Sequence, residues 1–115
     1  DPTRTYPWGR DWEEGRANTH ESGLRRTTAV GMYPAGGMPQ GVLDMVGNVW
    51  EWCLNTYDSP KKTSPRDSSR RVVRGGSWYN DRGYARCAYR YVFDPGTRLD
   101  NLGLRLVCVS PILKR

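Results

Sequence analysis

Residues 74–107 read RGGSWYNDRGYARCAYRYVFDPGTRLDNLGLRLV, and this stretch decides the fold because a regular frame in it alternates with side chains that look arbitrary. The frame is the RGGSW run at 74–78 with Arg86, Arg90, Pro95, Arg98, Gly103 and Arg105. Within it stand Tyr79, Asn80, Asp81, Gly83, Tyr84, Tyr89, Tyr91, Val92, Phe93, Asp94, Thr97, Leu99, Asp100 and Asn101. A half-buried strand alternates apolar and polar residues because successive side chains point to opposite faces. This segment does so only in patches, so it reads as a displayed surface on a scaffold.

Working outward, four strands are predicted. Residues 49–57 are rich in Val, Trp and Tyr, which suit a pleated surface. RRVVRGGSW at 70–78 reads as a second strand ending at a Gly-Gly bend, and ARCAYRYV at 85–92 as a third. In LGLRLVCVS at 102–110, Leu102, Leu104, Leu106 and Cys108 fall on one side and Arg105 on the other, the pattern of a half-buried antiparallel strand. Residues 58–70 form a polar loop. Pro and Gly interrupt every helical period in the first forty residues, and DWEEGRAN at 11–18 allows one short helical turn at most. The fold class expected is α+β or mainly β, loop-rich, with small antiparallel sheets.

At 115 residues the chain fits one domain, 1–115, able to bury a core without staples. Five Trp and seven Tyr compensate for modest hydrophobic content, and Trp50, Trp52 and Trp78 are expected in the core. The net charge of +6 comes mostly from arginine spread along the chain, whereas a nucleic-acid reader clusters its charge. Nucleic acid is therefore not the expected partner. Arg74, Arg86, Arg90, Arg98 and Arg105 are expected to brace loops through backbone carbonyls. Cys53, Cys87 and Cys108 show no zinc spacing and read as small buried hydrophobes. No apolar run is long enough for a membrane span and no stretch reads as a secretory leader; the compartment is left open.

YPWG at 6–9, GMYPAGGMPQGVLDMVGNVWEWC at 31–53, RRVVRGGSW, RCAYR at 86–90 and LGLRLV occur together and in order. The combination resembles the formylglycine-generating-enzyme (sulfatase-modifying factor) superfamily, nearly end to end. The resemblance implies a C-type-lectin-like fold of high loop content. The generators of that family use two cysteines shortly after GGS(W/Y) to bind copper, but residues 79–86 contain none and Cys87 matches a later structural cysteine. Its iron-dependent sulfoxide synthases need several histidines, and this chain has only His20. The resemblance thus implies no catalytic residue and no required cofactor. It also implies a calcium site from Asp44 and Glu51 with the carbonyls of Gly47 and Val49, oxygen donors suited to a hard cation. Asp44 can equally cap the turn at 46–47. A second calcium site of the family is matched only at Asn18.

A closer resemblance is to the variable proteins of diversity-generating retroelements, whose mutable region runs from GGSW to G(F/L)RL, here residues 75–106. There, template adenines are randomised, so Asn codons become many others, but never codons for Lys, Glu, Gln, Met or Trp. None of those residues occurs between positions 79 and 107, although the rest of the chain uses them all. The mixture of Tyr, Asp, Asn and Gly with Val, Phe and Leu is that of a paratope. Tyr89, Tyr91 and Phe93, alternating in one strand, share a face that is either a hot spot for a partner or simply core. The expected function is passive binding of a protein or cell-surface ligand. The alternative is a formylglycine-generating-enzyme-like domain, active or degenerate.

Overall fold

A computed structural model describes residues 3–111. Strand β1 (Trp50–Thr56) pairs antiparallel with β2 (Arg71–Arg74), which pairs antiparallel with β3 (Tyr91–Phe93). On its other side β1 pairs parallel with the two-residue β4 (Leu102–Gly103), giving the order β3-β2-β1-β4 in a single mixed sheet. The small antiparallel sheets expected from the sequence are thus one sheet with a parallel edge pair. Its helical content among the described residues is three short 3-10 turns, His20–Ser22, Pro34–Gly36 and Arg82–Ala85.

β1 and β2 lie where Val, Trp and Tyr predicted them. The register slips between Trp52 and Thr56, and beside the slip stands the guanidinium of Arg71, the first residue of β2. It donates to the carbonyls of Leu54, Ser64 and Asp67 and so fastens the polar 58–70 loop. β2 ends at Gly75, whose φ of 97° favours glycine and whose Cβ, if present, would stand 2.8 Å from the Met45 carbonyl oxygen. Gly47 faces it: its N–H donates to the Gly75 carbonyl at 2.7 Å, and a Cβ there would meet the Asn18 carbonyl at 2.7 Å.

The third and fourth strands depart from expectation. The third begins at Tyr91 rather than Ala85, because the Asp81 carboxylate accepts from the N–H of Gly83 and the Arg86 guanidinium donates to the Gly83 carbonyl. These local bonds draw the chain into a 3-10 turn before it can extend. The fourth was expected to be antiparallel and half-buried over 102–110. Only Leu102–Gly103 pair, in parallel, and Leu104, Leu106, Val107 and Val109 are 65–88% exposed. Alternation specifies an extended, two-faced segment, but burial needs a neighbouring layer, and the described residues supply none there.

The core is divided. Tyr6, Ala17, Val46 and Ala85 form one cluster, with Trp8 and Trp12 packed against it. Trp50, Val72 and Val73 are buried in the sheet. Trp52 and Trp78, expected in the core, are only half-buried. The loop-rich N-terminal half is held by buried amides: the Asn48 side chain accepts from Thr28 N–H and donates to the Thr28 carbonyl, while its backbone N–H reaches the Asn18 carbonyl at 2.7 Å. Asn18 in turn donates to the Arg26 carbonyl and accepts from the Ser22 hydroxyl. Fully satisfied amides of this kind fix loops that have no ladder of their own.

Candidate functional site

The in-register set Trp52, Val73 and Tyr91 puts one side chain from each of three strands on the same face. Val73 is small, so the larger rings on either side of it meet over it. Trp50 touches Tyr91 at 5.3 Å between centroids, and Trp52 touches Phe93 at 6.2 Å. The contacts continue from Phe93 to Tyr91 at 5.4 Å, from Tyr91 to Tyr89 at 6.5 Å and from Tyr89 to Tyr84 at 5.1 Å. Four candidate positions therefore form one aromatic ladder backed by buried Trp50. Tyr91 is 39% and Tyr84 36% exposed, whereas Tyr89 and Phe93 are half-buried. Tyr89 precedes the strand yet shares its face. Burial pushes the Tyr89 phenol upward, with Tyr84 and Tyr91 adding to the shift, and the Arg86 guanidinium covers its ring at 5.6 Å.

Other candidate positions are tied into the scaffold. Asn80 Oδ1 accepts from the Trp50 indole N–H at 2.9 Å and from the Ser77 hydroxyl at 2.6 Å. Asn101 donates to the Ser77 hydroxyl at 3.1 Å, and its carbonyl accepts from the Trp50 backbone N–H at 2.8 Å. Nothing in the sequence marked these two asparagines apart from their neighbours; the signal is a buried tryptophan whose donor must find an acceptor.

The remaining positions differ in exposure. Tyr79 is 67% and Leu99 49% exposed, Asp81, Asp94 and Asp100 are also exposed, and Gly83, Val92 and Thr97 are half-buried. Tyr79 lies apart from the ladder, lining an open cavity of about 680 Å³ with His20, Gly23, Arg25 and Trp78. Of the bracing arginines, Arg86, Arg90 and Arg105 donate to backbone carbonyls as expected. Arg74 and Arg98 make no such bond among the described residues, and Arg71, which the sequence did not single out, makes three.

Asp44, Val49 and Glu51 line one cleft, with Gly47 outside it. Asp44 Oδ2 accepts from the Gly31 N–H at 2.7 Å. Both Glu51 oxygens accept from Arg105, at 2.5 and 2.7 Å, and the same guanidinium reaches the carbonyls of Leu43 and Asp44. A fixed positive charge thus engages the carboxylate that calcium would need, so this donor set as arranged does not fit the ion. The copper chemistry is no better supplied: in the run after Trp78, Asn80 and Asp81 are engaged in internal bonds and the thiols of Cys53, Cys87 and Cys108 lie elsewhere in the chain. Cys87 and Cys108 are exposed rather than buried, correcting the expectation for them.

The family model of the sulfatase-modifying factor enzyme 1-like domain matches residues 1–109. The chain belongs to this family. Among sulfatase-modifying-factor relatives, it is 33% identical to the inactive C-alpha-formylglycine-generating enzyme 2 of Bos taurus, over 93% of this chain and 38% of that protein. It is 36% identical to the serine/threonine-protein kinase pkn1 of Chlamydia caviae, over 87% of this chain and 17% of that protein. The solved Treponema denticola variable protein 1 superposes with a TM-score of 0.67 at 28% identity, covering 79% of this chain and 35% of that one. The chain thus spans well under half the length of each of these relatives. The resemblance to this superfamily and to its variable proteins is met.

Proposed function

We propose that the chain is a non-catalytic binding domain whose 75–106 region carries side chains diversified by a retroelement to engage varied ligands, proteins or cell-surface groups. The observation that carries this reading is the aromatic ladder: Tyr84, Tyr89, Tyr91 and Phe93 stand in continuous contact, part-exposed, with Tyr84, Tyr89 and Tyr91 packed against buried Trp50. Rigid aromatics with two rotatable bonds give contact area at low entropy cost, and Asp94, Leu99 and Asp100 of the same region are exposed polar and apolar positions. The structural likeness to a variable protein and the kinship with an inactive generator support it.

The test is the DNA flanking the gene. A near-copy of codons 75–106 beside a reverse transcriptase, differing from it only at adenines, is the expected result. A flank without that copy leaves the second reading, a formylglycine-generating-enzyme-like domain, which the family's name favours. That reading predicts copper- and oxygen-dependent oxidation of a cysteine peptide, and the cysteine-free run at 79–86 predicts none.

A further inference from the structure

At the Gly75 bend lies an apolar cavity of about 150 Å³ that none of the ladder's rings lines. Pro7, Met38, Met45 and Val46 supply its apolar lining, and methionines adapt readily to an inserted group. A cavity of about this volume holds a benzene-sized ring. The glycine at 75 is what lets the wall close, since a Cβ there would strike the Met45 carbonyl.

Three arginines, Arg4, Arg74 and Arg86, border this apolar space, and no carboxylate lines it. Arg86 is fixed by its bond to the Gly83 carbonyl and its place over the Tyr89 ring. The segment carrying Arg4 is held by the Cys87 N–H, which donates to the Thr5 carbonyl at 2.8 Å. No side-chain hydrogen bond or ion pair engages Arg4 or Arg74 among the described residues, and each is a planar fork suited to a carboxylate. The Cys87 thiol beside them, in a residue exposed overall, is pushed up by local desolvation against the pull of Arg4 and Arg74.

We propose that this cavity is a second ligand site, taking a carboxylate carried on a ring- or leucine-sized apolar group. The apolar part fills the space between the methionines and the carboxylate meets Arg74 and Arg4. Such a group comes either as a free small acid or as the C-terminal residue of a polypeptide, and the site shares only Arg86 with the surroundings of the ladder.

Calorimetric titration of the whole chain with phenylacetate, phenylacetamide and acetyl-Gly-Phe tests it. Saturable binding of at least one acid is expected. Phenylacetamide, and Arg74→Met or Arg4→Met protein of unchanged melting temperature, should each weaken it about ten-fold or more. Tyr91→Ala, on the ladder, should leave it unchanged. Tighter binding of acetyl-Gly-Phe than of phenylacetate marks the polypeptide terminus as the source, and the reverse order marks the free acid. Equal binding of acid and amide, indifference to both arginine substitutions in folded protein, or no saturable binding of either acid would overturn the assignment.

Discussion

Two regions cut from the same stretch of chain behave in opposite ways. Asn80 and Asn101 turn inward and complete a hydrogen-bonded node around Trp50 and Ser77, whereas Tyr79, Tyr84 and Tyr91 keep a third or more of their surface in water. The difference teaches that a frame of arginines and glycines does not by itself make every intervening side chain free. A position next to a buried tryptophan inherits its hydrogen-bonding needs, and only positions beyond that reach can be exchanged without refolding.

The largest effect should come from the node's centre. Trp50 is 1% exposed, and Trp50→Ala is expected to cost about 3–5 kcal/mol in urea denaturation. A loss under about 1 kcal/mol would mean that the sheet does not depend on it. Asn80→Ala, which leaves the indole donor and Ser77 without their acceptor, should cost about 1–3 kcal/mol, while Tyr79→Ala beside it stays within about 0.5. Equal losses for these two neighbours would erase the contrast between node and surface. Tyr91→Ala should fall between them, at about 1 kcal/mol, because the ring is exposed yet touches Trp50.

A smaller effect follows from pH. Desolvation raises the thiol of half-buried Cys53, and that of Cys87 within an otherwise exposed residue, above their ordinary values. An acid whose folded pKa is raised gives stability that is complete below its unfolded pKa, about 8.5 for a thiol, and is lost as pH climbs through the folded value. The melting temperature should therefore fall as pH rises above about 8.5, and Cys53→Ala should shrink the fall relative to its own value at pH 7. An unchanged slope in that variant would remove Cys53 from the account. The smallest expected effect is that of calcium. With Glu51 held by Arg105, added calcium and added chelator should give the same melting curve, and a calcium-dependent rise would show that the guanidinium yields its place.

The strands that sequence patterns located are those whose partners are close in space and whose composition is unambiguous, β1 and β2 with the Gly-Gly bend between scaffold and surface. The start of β3 was misread because Asp81 and Arg86, single side chains bonding to Gly83, override the β-branched and aromatic character that follows. The aromatic ladder was largely legible: alternation placed Tyr89, Tyr91 and Phe93 together, and only Tyr84 joins it through the turn that folds it back.

By itself, then, the sequence determined the family, the loop-rich sheet architecture and the missing cysteine pair, because these are properties of residue identity and spacing. Only the tertiary structure decided which of the candidate positions are free and which are tied, that Arg105 takes the carboxylate calcium would need, that the LGLRLVCV segment pairs over just two residues, and that three arginines gather around one apolar cavity. Each of these depends on groups distant in sequence meeting in space, and no local period carries that information.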